Sequence, residues 1–171
     1  MGKHPFPELA RAAVEKYVLT GQVLSPPAPL PAEMQVRAAS FVSIHLLDGS
    51  LRGCIGTIQP VEENLAREII RNAVAAASRD PRFPPISPQE LLLLDFSVDV
   101  LGEPESISSL TQLDPKRYGV IVEKGWRRGL LLLDLEGVNS VETQVSIALS
   151  KASIDVSEDF QLYRFIVQRY H

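Results

Sequence analysis

The chain predicts an α+β fold with a mainly antiparallel sheet. Two stretches, 41–58 and 118–133, switch to a period of two and double back through glycine turns. Segments of helical period are interspersed among such hairpins rather than following every strand, the pattern of packed helices on an antiparallel sheet. A chain of 171 residues fits one domain, or one domain with a small appendage.

The elements follow in order. Leu9, Ala13, Val14, Tyr17 and Val18 recur at helical spacing, and Gly21 ends that helix in the position where glycine is favoured. Pro26 to Pro31 is a stiff link. Val42, Ile44 and Leu46 then alternate with Phe41, Ser43 and His45, and Asp48-Gly49 marks a hairpin whose return strand is 51–58. Taking Asp48 and Gly49 as the turn residues sets Leu47 opposite Ser50, His45 opposite Arg52 and Ser43 opposite Cys54, all four inner residues on one face. Glu62 to Ser78 is a helix with acidic residues at its positive end. Arg79 to Pro85 is a proline-rich loop, and Ser87-Pro88-Gln89-Glu90 is a capping box that opens a short helix. Leu94 to Val100 alternates with Asp95, Ser97 and Asp99 on the wet side. Glu103 to Pro115 reads as irregular. A second hairpin turns at Lys124-Gly125-Trp126-Arg127, a helix capped by Asn139 runs to about Ala152, and Gln161 to Tyr170 is a final strand. No internal repeat is visible.

Composition narrows the function classes. Apolar residues make up 45% of the chain and charged residues 22%, as in folded soluble proteins. A net charge of −4 argues against broad binding to a phosphate backbone. One cysteine makes no internal disulfide, no run reaches a membrane-spanning length, and the first residues lack a signal-peptide core, so a cytoplasmic location is expected.

The chemistry concentrates in two runs, Leu51-Arg52-Gly53-Cys54-Ile55-Gly56-Thr57 and Arg79-Asp80-Pro81-Arg82-Phe83. Cys54 lies between Gly53 and Ile55, with Arg52 two residues before it and a second glycine two after. Glycines let a ligand approach the backbone, and a guanidinium favours the reactive thiolate. The reading therefore assigns catalysis to Cys54 and Arg52, with His45 as a base and Asp80 orienting an arginine. It assigns substrate contacts to Gly53, Gly56, Thr57, Arg79 and Arg82, the arginines as an anion fork. The plainer account makes Cys54 a small buried hydrophobe, His45 a hydrogen-bonded strand residue and Asp80 the acceptor of its own turn. No metal site is expected, because one thiol and one internal histidine fall short of a ligand set. Trp126 with Arg127 and Arg128 either stacks on a base or packs on the sheet.

The cysteine heptad resembles the AMMECR family. The resemblance extends to Asn64-Leu65-Ala66, to Arg79 through Pro85, to Ser97 through Leu101, to Asp114 through Val120 and to Arg128 through Leu132. Its length, the 114–120 run and the Tyr163-Arg164-Phe165 ending look most like the bacterial subgroup called AmmeMemoRadiSam system protein A. Where that pattern has Leu-Pro or Pro-Asp-Leu after Leu132, this chain has Leu133-Asp134-Leu135. The resemblance implies a single domain over 1–171 with a smaller lobe, which we place within about 60–115. It implies company with a Memo-type protein and a radical S-adenosylmethionine enzyme, and an uncharacterised reaction. Two functions follow as expectations: a cysteine-dependent enzyme or catalytic subunit acting on an anionic substrate, or a non-catalytic module binding a nucleotide, nucleic acid, peptide or partner protein. The cofactor stays unknown.

Overall fold

The computed structural model describes residues 2–171. The described residues divide into two units, one running to residue 100 and joined by 168–171, and one of 101–167. The smaller unit thus starts near the end of the 60–115 window and runs well past it.

The first unit opens with helix α1 (Pro5–Thr20), closed by Gly21 at φ 73, and a short turn of helix, α2 (Ala32–Gln35). Strands β1 (Ser40–Leu46) and β2 (Leu51–Gly56) form the first hairpin. Helix α3 (Leu65–Ser78) begins three residues later than the sequence placed it, capped by Asn64, whose side chain accepts from the Arg67 N–H. The expected capping box holds a 3-10 turn, Pro88–Leu93, and leads into β3 (Leu94–Leu101). Short strand β8 (Val167–Tyr170) completes a sheet ordered β2-β1-β3-β8. Val42, Ile44, Phe96 and Val98 face the helices and share one core with Leu9, Ala13, Ile69 and Ala73.

The second unit contains β4 (Glu105–Ile107), β5 (Gly119–Lys124), β6 (Arg127–Leu131), α4 (Val141–Ala152) and β7 (Gln161–Phe165), in a sheet ordered β4-β7-β5-β6. Val120, Val122, Val145, Ala148 and Leu162 form its own core. Three expectations change here. The segment 103–115 is not wholly irregular, since Glu105–Ile107 pairs with β7. The helix is capped by the Ser140 hydroxyl rather than by Asn139. The last strand is two strands, because at Ile166 the chain leaves one sheet and enters the other.

The two units repeat one plan that the sequence hides. Each has a hairpin, a helix laid across it, and a third strand beside the first strand of the hairpin. Ile44 faces Gly53 in the first hairpin and Val122 faces Gly129 in the second. A Cβ at Gly53 would overlap the Ala76 carbonyl of α3, and one at Gly129 the Ala148 carbonyl of α4. One helical turn earlier, Asn72 donates to the Ser40 carbonyl and Gln144 to the Tyr118 carbonyl, each four residues before the strand residue facing the glycine. Only glycine lets helix backbone touch strand backbone this closely.

Candidate functional site

The hairpin turn decides which side chains meet. The Leu46 N–H donates to the Ser50 carbonyl, so Leu47, Asp48 and Gly49 form a three-residue turn, with Gly49 at φ 86. His45 therefore faces Leu51, and the register shifts between Ile44 and His45 so that Ser43 still faces Cys54. Arg52 is the extra residue of this bulge, and a bulge re-aims its side chain. The expected pairing of Ser43 with Cys54 is present. The expected pairing of His45 with Arg52 is not.

Arg52 is buried and points to the 3-10 turn. Its Nε donates to Glu90 Oε1 at 2.8 Å and its Nη2 to Oε2 at 3.2 Å, a two-pronged fork. Glu90 also accepts from the Ser87 N–H and hydroxyl. The Arg52 guanidinium, helped by Ser87, holds the Glu90 carboxyl at about 2. Arg52 thus serves the fold and is not among the charges that act on Cys54.

The other members of the heptad also have structural duties. Gly53 admits α3, and Gly56 admits the Phe41 ring. Thr57 donates to the carboxylate of fully buried Glu68, which also accepts the Val61 and Glu62 N–H groups and so folds the loop before α3. These bonds and contacts use the Thr57 hydroxyl and the space over both glycines, where the sequence reading had placed substrate contacts.

Asp80 and Arg82 close the outer edge of β2. The buried Asp80 carboxylate accepts the Cys54 N–H at 2.9 Å, and Arg82 Nη2 reaches the Cys54 carbonyl at 3.4 Å. Both backbone groups of an edge residue are thereby covered, which blocks further strand pairing there. Arg82 also binds Asp80 through its Nε at 3.0 Å and Nη2 at 2.7 Å, and holds that carboxyl well below the usual range. Asp80 and Arg82 are thus held as a pair against the strand edge. Arg79 caps the end of α3 with its backbone, and its exposed side chain has no bonded partner among the described residues.

Cys54 is half-buried, and its Sγ lies 3.2 Å from Ser43 Oγ. Burial pushes the thiol upward; the Ser43 hydrogen bond and the Arg82 charge pull it down, and Asp99 and Asp80 push it up again. The net direction is up, opposite to the lowering that a guanidinium beside the thiol would give. The face that carries Ser43 continues into a cavity of 450 Å³ lined by His45, Asp95, Ser97, Arg169 and His171, among others. Beside it Arg169 grips the buried Asp99 carboxylate at 2.7 and 2.9 Å. Sequence reasoning missed Ser97, Asp99 and Arg169 as site residues. The alternation in 94–100 did separate Ser97 and Asp99 from the core side, but the face expected to be wet is covered there, and both residues are buried. Among the described residues, no three His, Cys, Asp or Glu side chains gather closely enough to hold a metal ion, and no helix is long and apolar enough to cross a membrane.

Residues 7–170 match the AMMECR1 family. The chain belongs to the AMMECR1 family. A protein of Thermotoga maritima is 52% identical over 172 residues, covering 99% of both chains. A protein of Clostridium acetobutylicum is 50% identical over 98% of this chain, which spans only 36% of that protein's length. The crystal structure of an uncharacterized protein from Pyrococcus horikoshii superposes with a TM-score of 0.84 at 32% identity, covering 96% of this chain and 88% of that one. The AMMECR1 match takes in both units and the whole of the cysteine heptad.

Proposed function

We propose that this AMMECR1 domain is a cysteine-dependent enzyme, or the catalytic subunit of a small modification system, in which Cys54 is a nucleophile or covalent carrier. One observation supports this reading above the rest. Arg52, Gly53, Gly56 and Thr57 each have a fixed duty in the fold, whereas the Cys54 side chain is tied only to Ser43 among the described residues. Ser43 is its hydrogen-bond partner among the described residues, and half-burial leaves the sulfur within reach of a ligand.

In this reading the thiol is latent. The S–H bond breaks as sulfur bonds to an electrophilic carbonyl carbon of the substrate, whose C=O π electron pair moves to the carbonyl oxygen, and the proton passes by Ser43 Oγ toward His45, two positions along the same face. Half-exposed Arg82 and exposed Arg79 hold the anionic end of the substrate. Latency protects the sulfur from oxidation, which follows thiolate character. The Clostridium relative, in which such a domain is about a third of a longer chain, supports a working partner. We assign that role to a Memo-type protein or a radical S-adenosylmethionine enzyme, as expected of the AmmeMemoRadiSam subgroup.

The test is the intact mass of the chain purified from its own host, with and without the genes of the Memo-type protein and the radical S-adenosylmethionine enzyme. A covalent adduct that maps to Cys54 and vanishes in Cys54→Ala is the expected result. An unmodified sulfur throughout, together with full function of Cys54→Ala in the cell, overturns the proposal.

A further inference from the structure

The sheet face that bears Cys54 carries polar groups that the fold does not use. Ser43 faces Cys54 on one side and Ser97 on the other, so a row of three side chains crosses β2, β1 and β3. In the next row His45 faces Asp95. Ser43, Ser97, His45 and Asp95 line the cavity of 450 Å³, and the sulfur stands at its edge, 3.2 Å from Ser43 Oγ.

Ser97 is only 7% exposed, yet its hydroxyl has no hydrogen-bond partner among the described residues. It is aimed into the cavity, since Phe96 and Val98 on either side of it turn into the core. A buried hydroxyl with no partner costs stability, so the fold gains nothing from Ser97 that alanine would not supply. The half-buried His45 imidazole is likewise without a bonded partner among the described residues. The charged groups around them are already matched. Arg169 grips Asp99, and Lys3 donates to Asp95 at 2.8 Å and holds that carboxyl below its usual range.

We infer that this cavity binds the hydroxylated body of a small sugar, placed so that the sugar's carbonyl carbon lies at Cys54. The inference deepens the cysteine reading above and rests on it for the sulfur alone. A hydroxyl and an imidazole both donate and accept, and with no unmatched charge beside them they suit neutral hydroxyls. Spacing selects a chain of such groups. Ser97 and His45 are diagonal neighbours on adjacent strands, roughly 7–8 Å apart. Cys54 and Ser97 lie two strands apart, roughly 10 Å between Cα atoms. Hydroxyls on successive carbons reach across such gaps, whereas an amide holds its donor and acceptor on one carbon. Leu46 and Leu47 line the same cavity and offer apolar contact to the carbon chain.

The test titrates D-ribose 5-phosphate, D-ribose and inorganic phosphate, in separate arms, into the isotope-labelled full chain carrying Cys54→Ala, so that binding is read without any adduct. Both sugars shift the amides around His45 and Ser97, and phosphate alone leaves those amides in place. Adding Ser97→Ala weakens sugar binding by about fivefold, the loss of one hydrogen bond. It leaves the melting temperature unchanged or higher, because the hydroxyl bonds to nothing in the fold. Four results overturn the inference: cavity amides unmoved by both sugars at tens of millimolar, binding indifferent to Ser97→Ala, a lower melting temperature in Ser97→Ala, and phosphate moving the cavity amides as strongly as the sugars do. A Cys54 adduct found in the host without sugar binding here removes the sugar and keeps the cysteine reading. Sugar binding without any adduct in the host does the reverse.

Discussion

Arg52 looks in the sequence like the residue that activates Cys54, and the structure makes it the partner of Glu90 instead. Glu90→Gln separates these two accounts. The Glu90 carboxyl falls from 4.5 to about 2 on folding, chiefly through its bonds to Arg52. At about 1.4 kcal/mol per pH unit, that fall corresponds to about 3 kcal/mol of stability at neutral pH. The Glu90 side chain is 29% exposed and Arg52 9%, so solvent screens the pair weakly. Glu90→Gln also leaves a buried guanidinium without its counter-charge, a change that costs about 3–5 kcal/mol in buried pairs. A folded value below the unfolded one means stability that is complete above the unfolded value and lost as pH falls through the folded value. The gap between wild type and Glu90→Gln in denaturant titrations is therefore about 3 kcal/mol at pH 7 and narrows to about half that near pH 3. Iodoacetamide should meanwhile modify Cys54 at an unchanged rate in the folded variant. A gap under about 1 kcal/mol, or one that does not change with pH, refutes the assigned pairing. Faster alkylation in Glu90→Gln, or slower alkylation in Arg52→Met, would return Arg52 to the thiol.

Three further outcomes follow from the same contacts. Native Cys54 alkylates more slowly at neutral pH than free cysteine, and Ser43→Ala slows it further by removing a bond that favours the thiolate; a faster rate in Ser43→Ala contradicts the thiol's described surroundings. Gly53→Ala and Gly129→Ala each force a helix off its sheet and cost about 1–3 kcal/mol in denaturant unfolding, where a neutral effect at either position would deny the close helix contact. Asp80→Asn weakens the cover on the β2 edge, so amide exchange at Cys54 speeds up by about tenfold, and an unchanged rate would mean the carboxylate is not what holds that N–H.

Local signals in the sequence were read well where one residue type has one use. Gly21 stops α1, the capping box at Ser87 opens a 3-10 turn, and the alternation in 94–100 sorts Phe96 and Val98 from Ser97 and Asp99. Pairing Ser43 with Cys54 came from a two-residue turn that is in fact three residues long. The bulge at Arg52 takes back the lost residue, so the error cancels at Cys54 and persists at Arg52. No periodicity announces a bulge, and none links Glu90 to Arg52 or Asp99 to Arg169, which lie far apart along the chain. The internal repeat escaped for a similar reason. It rests on a glycine, an amide side chain and an alanine in each unit, while the side chains around them differ. The edge cover by Asp80 and Arg82 was seen as an arginine–aspartate pair, but its purpose is visible only once Cys54 lies on an open edge.

The account stands on a sulfur that the fold does not need. Replacing Cys54 by alanine in the host, alongside a thermal melt of the purified variant, tests this directly. A melting temperature within about 3 °C of wild type, combined with the phenotype of the gene deletion, is the predicted outcome. Full rescue of the deletion by the alanine variant, or a melt that collapses with the thiol gone, would contradict it.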